Sequence, residues 1–286
     1  RPDSKYPISK IFEVIPNLPY SLDNVLLYPK RADLLDAYIP APIAPSLETI
    51  EEKLQEALES VADGPCVLSC AGRTDQGVHA TGQVVHFASE QKRTAQNWLY
   101  GGNSLLPVDI KLQWVLPVED DFHARFSARS RSYCYVIYQN EVSHPLLAGR
   151  VWWVRKKLDV HAMQQAANQW IGEFDFSSFR DSDCQAKHAV RKLMNFNVVA
   201  QGRFCIFYIE ANAFLHHMIR NMMGVLVEIG RGDKPISWSL DVLKAHDRTQ
   251  AGITAPPQGL YLCQVRYDLP WANRFPLAMD PFKFVF

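Results

Sequence analysis

Seven short segments, most of them alternating between apolar and polar residues, constrain the fold of this chain more than any other feature of its sequence. Such alternation is typical of β-strands that bury one face. Helical patterns interrupt these segments without the regular strand–helix–strand order of a parallel sheet. The predicted strands lie at 66–71, 82–88, 110–116, 132–139, 194–201, 203–211 and 260–269. The pattern predicts an α+β fold with a largely antiparallel sheet.

Four helices are predicted around these strands. Thr49 and Glu52 match the T-x-x-E capping box, which satisfies free backbone amides at a helix start, and Gly64 ends that helix. Apolar periodicity and capping residues predict the further helices at 159–172, 214–229 and 239–246.

The first 46 residues differ from the rest of the chain. They contain eight of the 18 prolines, and no clean helical or alternating pattern runs through them. We therefore predict three parts: an atypical proline-rich segment at 1–46, a first half at 47–145 and a second half at 146–286. The boundary between the halves is expected near 141–150.

Composition narrows the class of protein. The chain is 48% hydrophobic, and no apolar run approaches the roughly 20 residues of a membrane helix. Its six cysteines form no C-x-x-C pair, which disfavours a zinc ribbon and suits free thiols in a reducing cytoplasm. We expect a cytoplasmic protein without membrane contact.

Charge is unevenly distributed although the formal net charge is zero. The run 122–135 contains Arg125, Arg129 and Arg131 without any acid, and the run 184–192 is also basic. Basic patches that alternate with aromatic residues suit an RNA backbone, whereas a solvated charged face is the commoner meaning of one such run.

The loop AGRTDQGVHA contains the clearest candidate for chemistry. Gly72 and Gly77 flank Arg73, Thr74 and Asp75 between two predicted strands, so the backbone can turn tightly and present these side chains. An aspartate is ionised at neutral pH and can act as a nucleophile. The alternative is an Asp-capped turn with Arg73 in a surface ion pair, and composition alone favours that alternative.

Four histidines raise the question of a metal site, namely His79, His86, His216 and His217. The first two do not have the spacing of a usual zinc site. The last two are adjacent, so on a helix they are expected to point to different faces. We predict no metal site.

Tyr133 and Arg220 are further candidates. Tyr133 follows the arginine-rich run and fits either base stacking or core packing. Arg220 lies on an otherwise apolar helix, where a buried arginine needs an anionic partner. Asp75 is a candidate for that partner, and a solvent-facing arginine fits the pattern equally well.

Several motifs together resemble the bacterial tRNA pseudouridine synthase A family. GRTDQGVHATGQVVHF, FHARFSA followed by RSYCYVIY, DFSSFR, ANAFLHHMIRNMMGVLVEIG and QGLYL occur in the order and approximate spacing of that family. The resemblance covers residues 47–269. It implies a pseudouridine synthase fold of two related halves with a central basic cleft, a homodimer, and no cofactor or metal. The implied substrate is the anticodon stem-loop of tRNA, with uridines at positions 38, 39 and 40.

The resemblance also implies roles for individual residues. Asp75 matches the catalytic nucleophile, Arg73 the residue that helps flip the target base, Tyr133 the tyrosine that packs on the uracil, and Arg220 the partner of the carboxylate. The residues at positions where family members contact tRNA are Arg93, Phe122, His123, Ala124, Arg125, Phe126, Asp183, Cys184, Gln185, Ala186 and Lys187.

The N-terminal segment departs from the family. Members begin with a strand that bears a Tyr-Asp-Gly-like turn and a Gly-Trp-Gln segment, and residues 1–46 show neither. The first sheet is expected either to lack a strand or to take one from this unusual segment. The alternative function is therefore a catalytically impaired tRNA-binding protein. A metal-dependent hydrolase that uses the histidines is a third, weaker hypothesis.

Overall fold

The computed structural model describes residues 9–16, 49–182 and 184–275, which belong to two compact units. The described part of the first unit consists of 9–16, 49–72 and 83–126. The described part of the second unit consists of 73–82, 127–182 and 184–275. The domain boundaries expected from the sequence stay a prediction.

The first unit is a four-stranded antiparallel sheet with two helices. Its sheet has the strand order β2-β4-β1-β5. The elements are β1 (Ser9–Pro16), α1 (Ile50–Ala62), β2 (Val67–Cys70), β4 (Gln83–Ala88), α2 (Ala95–Leu105) and β5 (Ile110–Val118). Leu58, Phe87 and Trp98 are fully buried in a core that the helices and the sheet share. The capping box of Thr49 and Glu52 is present at α1, as the sequence predicted.

Strand β1 corrects one expectation about the N-terminal segment. Ser9–Pro16 pairs antiparallel with both neighbours: Ile11 lies opposite His86 of β4 and opposite Leu116 of β5. The sheet therefore takes a strand from the proline-rich segment, and the expectation of no strand pattern was wrong at these residues. Pro16 is the last residue of β1, a position at which a strand tolerates proline. The other residues of 1–46 lie outside the described part.

The second unit is built on a seven-stranded mixed sheet. Six strands follow the order β3-β11-β6-β10-β9-β8, and β7 pairs with β6. Their bounds are β3 (His79–Ala80), β6 (Ala128–Gln139), β7 (Trp152–Val154), β8 (Gly172–Asp175), β9 (Val190–Gln201), β10 (Phe204–Ala211) and β11 (Leu260–Tyr267). The pairs β3–β11 and β6–β7 are parallel, and the others are antiparallel. The α+β prediction is confirmed, with two sheets and mixed strand directions.

Three helices pack in the second unit: α3 (Val160–Asn168), α4 (Met218–Gly230) and α5 (Trp238–Ala245). The predicted bounds were too wide for α3, because Gly172 begins β8 rather than ending the helix, and for α4, because residues 214–217 precede it. The sequence did not predict α2, β3, β7 and β8. Among the helices that the structure describes, none has the length and apolar character needed to cross a membrane.

Candidate active site

The aspartate loop forms a tight turn directly before β3. The amide of Val78 donates to the carbonyl of Asp75 at 3.0 Å, which closes a four-residue turn. Gly77 occupies the third position with a φ of 82°, a conformation that glycine adopts without steric cost. The predicted glycine turn is therefore present, and it leaves the Asp75 side chain partly exposed.

Arg220 on the first turn of α4 is the cationic partner of Asp75. Its Nη1 atom donates to Asp75 Oδ2 at 2.8 Å, and its Nε atom donates to the carbonyl of Ala255 at 2.8 Å. The Arg220 side chain is 14% exposed, so its charge is largely removed from water and requires the carboxylate. The pairing that the sequence left open is thus made across 145 residues of chain.

Two stacked histidines approach the same carboxylate. The rings of His216 and His217 lie 3.9 Å apart, and the angle between their planes is 27°. His217 Nε2 is 3.1 Å from Asp75 Oδ2, and His216 Nε2 is 3.5 Å from Asp75 Oδ1. The expectation that the two rings point to different faces of a helix was wrong. His217 is the N-cap of α4 with a φ of 58°, so neither residue lies within the helix and helical spacing does not apply.

A second carboxylate, Asp181, lies on the other side of these rings. Its Oδ2 atom is 2.7 Å from His217 Nδ1, and its Oδ1 atom is 3.9 Å from His216 Nδ1. Asp181 was not among the residues predicted from the sequence, where the two histidines were considered as metal ligands and that role was rejected. The sequence signal that could have indicated their role is the position of the two adjacent histidines between β10 and α4. Side chains at a junction between a strand and a helix can point towards the end of the sheet.

Asp75, His216 and His217 bring potential metal-ligand atoms within 4.8 Å of one another. The guanidinium group of Arg220 already contacts the carboxylate oxygen nearest to His217, and its positive charge opposes a divalent cation there. The donor set therefore suits proton-bearing partners better than a metal ion. His79 does not belong to this group of three residues. It stacks on Tyr261, and its Nε2 atom is 2.9 Å from the carbonyl of Gly149.

Tyr133 and Arg73 belong to the same unit as Asp75. Tyr133 lies on β6 opposite Leu262 of β11, is partly buried, and meets Phe214 edge to face at 5.1 Å. Arg73 is exposed on the loop, and among the described residues no ion pair or hydrogen bond joins it to Asp75. The structure thus combines Asp75 with Arg220, whereas Arg73 points to solvent.

The neighbouring tyrosine, Tyr135, backs the site from the core. Burial raises the pKa of Tyr135, and the positive charge of Arg220 opposes that rise. Its protonated hydroxyl donates to the carbonyl of Pro256 at 2.7 Å. This bond ties β6 to the chain segment that also supplies the Ala255 carbonyl to Arg220.

The FHARF stretch in the first unit divides into buried and exposed side chains. Phe122 and Ala124 are buried, whereas Arg125 and Phe126 are exposed, with Phe126 at 76%. His123 lies 4.3 Å from the Phe126 ring, and the guanidinium group of Arg125 lies over that ring at 5.6 Å. The exposed members therefore form a cationic and aromatic surface.

Arg93 and Asp183 are two further residues predicted to contact tRNA. Arg93 is exposed, and its Nε atom donates to the carbonyl of Val61 at 3.2 Å. Asp183 lies outside the described residues.

The remaining members of the predicted set follow Asp181 closely. Gln185 and Lys187 are exposed, and the carbonyls of Cys184 and Ala186 accept hydrogen bonds from Arg180. Burial acts to raise the pKa of Cys184, but hydrogen bonds from the amides of His216 and Ala186, together with Arg180, outweigh it and lower the pKa. The bond from the His216 amide to Cys184 Sγ is 3.4 Å long and attaches this segment to the histidine pair.

A partly exposed aspartate held by a guanidinium group and an imidazole suits an enzyme that uses a carboxylate as nucleophile or base. Comparison with known proteins defines the class further. A family model described as tRNA pseudouridine synthase matches residues 166–268.

Three relatives called tRNA pseudouridine synthase A extend this similarity over most of the chain. The protein from Hydrogenovibrio crunogenus is 50% identical over 220 residues, which is 77% of this chain and 84% of that protein. The one from Paraburkholderia xenovorans is 51% identical over 81% of this chain and 86% of its own length. The Coxiella burnetii protein is 44% identical over 81% and 88%. The chain belongs to the tRNA pseudouridine synthase family, whose members are isomerases.

Proposed function

We propose that this chain isomerises uridines at positions 38, 39 and 40 of the tRNA anticodon stem-loop to pseudouridine, with Asp75 as the nucleophile. The pair formed by Asp75 and Arg220 carries the proposal, because a guanidinium group 2.8 Å from the carboxylate holds it oriented on a glycine turn. Membership of the family and the names of relatives that cover most of the chain support the reaction.

The reaction breaks one bond and forms another within a single nucleotide. The target uridine first leaves its stack, at a cost of a few kcal/mol. Covalent catalysis by Asp75 then assists cleavage of the bond between N1 of uracil and C1′ of ribose. The uracil rotates and C5 bonds to C1′. The hydrogen on C5 leaves to solvent and N1 gains one, so the product is an isomer.

Two residues are assigned to the target base and a third to the nucleophile. Tyr133 packs on the uracil, Arg73 assists the extrusion of the base, and Arg220 holds Asp75. The exposed position of Arg73 supports its role, because a side chain directed to solvent can enter a nucleic-acid stack. Aromatic stacking of this kind contributes about 1–3 kcal/mol per base.

Contacts to the tRNA backbone are assigned to exposed members of the two basic runs. Arg125 and Phe126 in the first unit, and Gln185 and Lys187 in the second, present side chains to solvent. Phosphate contacts of this kind supply an affinity that falls with salt concentration. Phe122 and Ala124 are buried, so they support this surface from the core, and their side chains are not assigned to tRNA contact.

The finding of β1 weakens the alternative of a catalytically impaired tRNA-binding protein. That alternative depended on a first sheet without its strand, and Ser9–Pro16 fills that place between β4 and β5. We further propose a cytoplasmic homodimer that needs no cofactor. A molecular mass by light scattering equal to one chain would contradict the dimer. The basic cleft expected from the resemblance stays a prediction.

The test is the release of hydrogen from carbon 5 of labelled uridine in unmodified tRNA. Wild-type protein is expected to release it, and Asp75→Asn is expected to lose release while keeping its affinity for tRNA. The matched control is Asp233→Asn, which neutralises an exposed carboxylate in the turn after α4. Release by Asp75→Asn at the wild-type rate contradicts the nucleophile. Binding without release by the wild-type protein supports the alternative function. Transcripts lacking uridine at 38–40 test the positions.

A further inference from the structure

We propose that His217 is a positioning residue for Asp75, and that Asp181 holds the imidazole ring in place for that task. The inference rests on the proposed function, because the role requires that Asp75 carry the chemistry. One juxtaposition motivates it: the two nitrogens of a single ring contact two different carboxylates. His217 Nδ1 is 2.7 Å from Asp181 Oδ2, and Nε2 is 3.1 Å from Asp75 Oδ2.

Hydrogen-bond chemistry determines how the ring is used. A neutral imidazole has one N–H donor and one lone pair, whereas an ionised carboxylate only accepts. The ring therefore donates to both carboxylates only when both nitrogens carry a proton. The guanidinium group of Arg220 contacts the same Asp75 oxygen that His217 Nε2 approaches.

The backbone of His217 supports a functional reason for this placement. Its φ of 58° lies in the left-handed region, which costs a residue with a Cβ about 1–2 kcal/mol. His217 is also the N-cap of α4, yet its side chain makes no capping hydrogen bond. Strained residues of this kind persist where the surroundings over-determine them, and they cluster at active sites. Here the ring is directed to the carboxylates instead of the helix amides.

The contacts also distinguish the two oxygens of Asp75. Arg220 Nη1 donates to Oδ2 at 2.8 Å, and His217 Nε2 lies 3.1 Å from the same oxygen, both from the start of α4. Two close neighbours on one oxygen restrict the rotation of the carboxylate. Within the described part of the chain, the contact of Oδ1 is the longer one of 3.5 Å to His216, and the side chain is 24% exposed. Oδ1 is therefore the oxygen that meets the substrate.

Two substitutions at one position separate this role from a structural one. In His217→Asn the amide takes the place of Nδ1 and loses contact with Asp75, whereas in His217→Gln the amide reaches the place of Nε2. Asparagine tolerates the left-handed backbone better than glutamine does. A slower Asn variant therefore cannot be attributed to backbone strain.

The measured quantities are the single-turnover rate of pseudouridine formation with excess enzyme and the Kd for tRNA. We expect His217→Asn to lose about 100-fold in rate with little change in Kd, and His217→Gln to recover about 10-fold of that loss. Asp181→Asn is expected to lose about 10-fold, because the ring is then no longer held. His161→Gln on the exposed face of α3 and Asp233→Asn are the controls.

Three outcomes overturn the proposal: a wild-type rate for His217→Asn, a faster Asn than Gln variant, or equal losses in rate and affinity. A second measurement does not depend on activity. Proton spectra of histidine-labelled protein should show a downfield, slowly exchanging N–H of His217 that is absent in Asp181→Asn. If wild-type protein forms no pseudouridine, the proposed function fails, and this signal still decides whether the ring bridges the carboxylates. Its absence from folded wild-type protein overturns the bridge.

Discussion

Two pairs of neighbouring histidine rings, one tilted and one stacked, have surroundings that are opposite in hydrogen-bond character. In the first unit, His86 and His123 lie 4.5 Å apart and face backbone amides: Ala124 N donates to His86 Nδ1, and Arg125 N donates to His123 Nδ1, both at 3.1 Å. In the second unit, His216 and His217 face carboxylates. Amides require a ring nitrogen that accepts, whereas carboxylates require one that donates.

The first pair is accordingly kept neutral. Burial and, to a smaller extent, the neighbouring His123 lower the pKa of His86 to about 4, against a backbone hydrogen bond with Ser69 that raises it. Burial and Arg125 also lower the pKa of His123. The second pair lies between Asp75 and Asp181 beside Arg220. The contrast shows that residue type and ring proximity do not assign a histidine its role, whereas the chemistry of its neighbours does.

The largest effect is expected when the cation beside the second pair is removed. Arg220→Gln leaves two carboxylates with the histidines as their main partners, so we expect a loss of about 100-fold in single-turnover rate. Arg220→Lys should lose less, because it keeps the charge but cannot contact both Ala255 and Asp75 as the planar guanidinium does. Arg203→Gln, on the exposed turn between β9 and β10, is the control. An unchanged rate for Arg220→Gln would mean that the histidines alone orient the carboxylate.

A smaller loss, of stability together with activity, is expected from a change where α4 packs on the segment that supplies the Ala255 carbonyl. A Cβ at Gly224 of α4 would lie 1.8 Å from the carbonyl oxygen of Ile253. Two residues further along the chain, the carbonyl of Ala255 accepts the hydrogen bond from Arg220 Nε. Gly224→Ala gains about 1 kcal/mol of helix propensity. A clash with backbone costs more, so we expect a net loss of about 2 kcal/mol in unfolding free energy.

Urea unfolding measures this loss, and the turnover rate should fall with it because the segment holds the guanidinium group. The matched variant is Gly64→Ala in the first unit, where nothing lies within 4 Å of the new Cβ. Its stability and activity should stay at wild-type values. A Gly224→Ala protein as stable as wild type would show that the segment shifts without consequence.

The smallest effect concerns the neutral state of the first pair. The pKa of His86 is lowered from 6.5 to about 4 on folding, so between these pH values the unfolded state binds more protons than the folded state. This contribution to stability is complete above pH 6.5 and is lost as the pH falls towards 4. Because the ring is only half-buried, we expect about 1 kcal/mol rather than the full linkage value.

His86→Asn keeps an acceptor at the place of Nδ1 for the Ala124 amide, without a group that titrates in this range. Urea unfolding at pH 7 and pH 5 should therefore show a smaller acid loss for His86→Asn than for wild type, with similar stability at pH 7. An equal loss in both proteins would place the acid sensitivity elsewhere. The same substitution leaves the second pair unchanged, so turnover at pH 7 should persist.

The parts of the fold that follow from local patterns were predictable. Each of the seven strands predicted from the sequence corresponds to a strand of the structure, and the capping box predicted the start of α1. Short elements escaped prediction, because β3 has only two residues and β7 three, too few for any period to be visible. Strand β1 escaped because prolines surround it, and its formation depends on partners at 83–88 and 110–118.

The sequence by itself determined the aspartate turn, because glycines and an aspartate impose that geometry within four residues, and it determined the family through motifs that recur in order. Only the tertiary structure decided what surrounds the carboxylate. Arg220 is 145 residues away from Asp75, and Asp181 is 36 residues away from His217. Contacts of such separation depend on how strands and helices pack. The left-handed backbone at His217, which turns its ring towards both carboxylates, is likewise maintained by that packing.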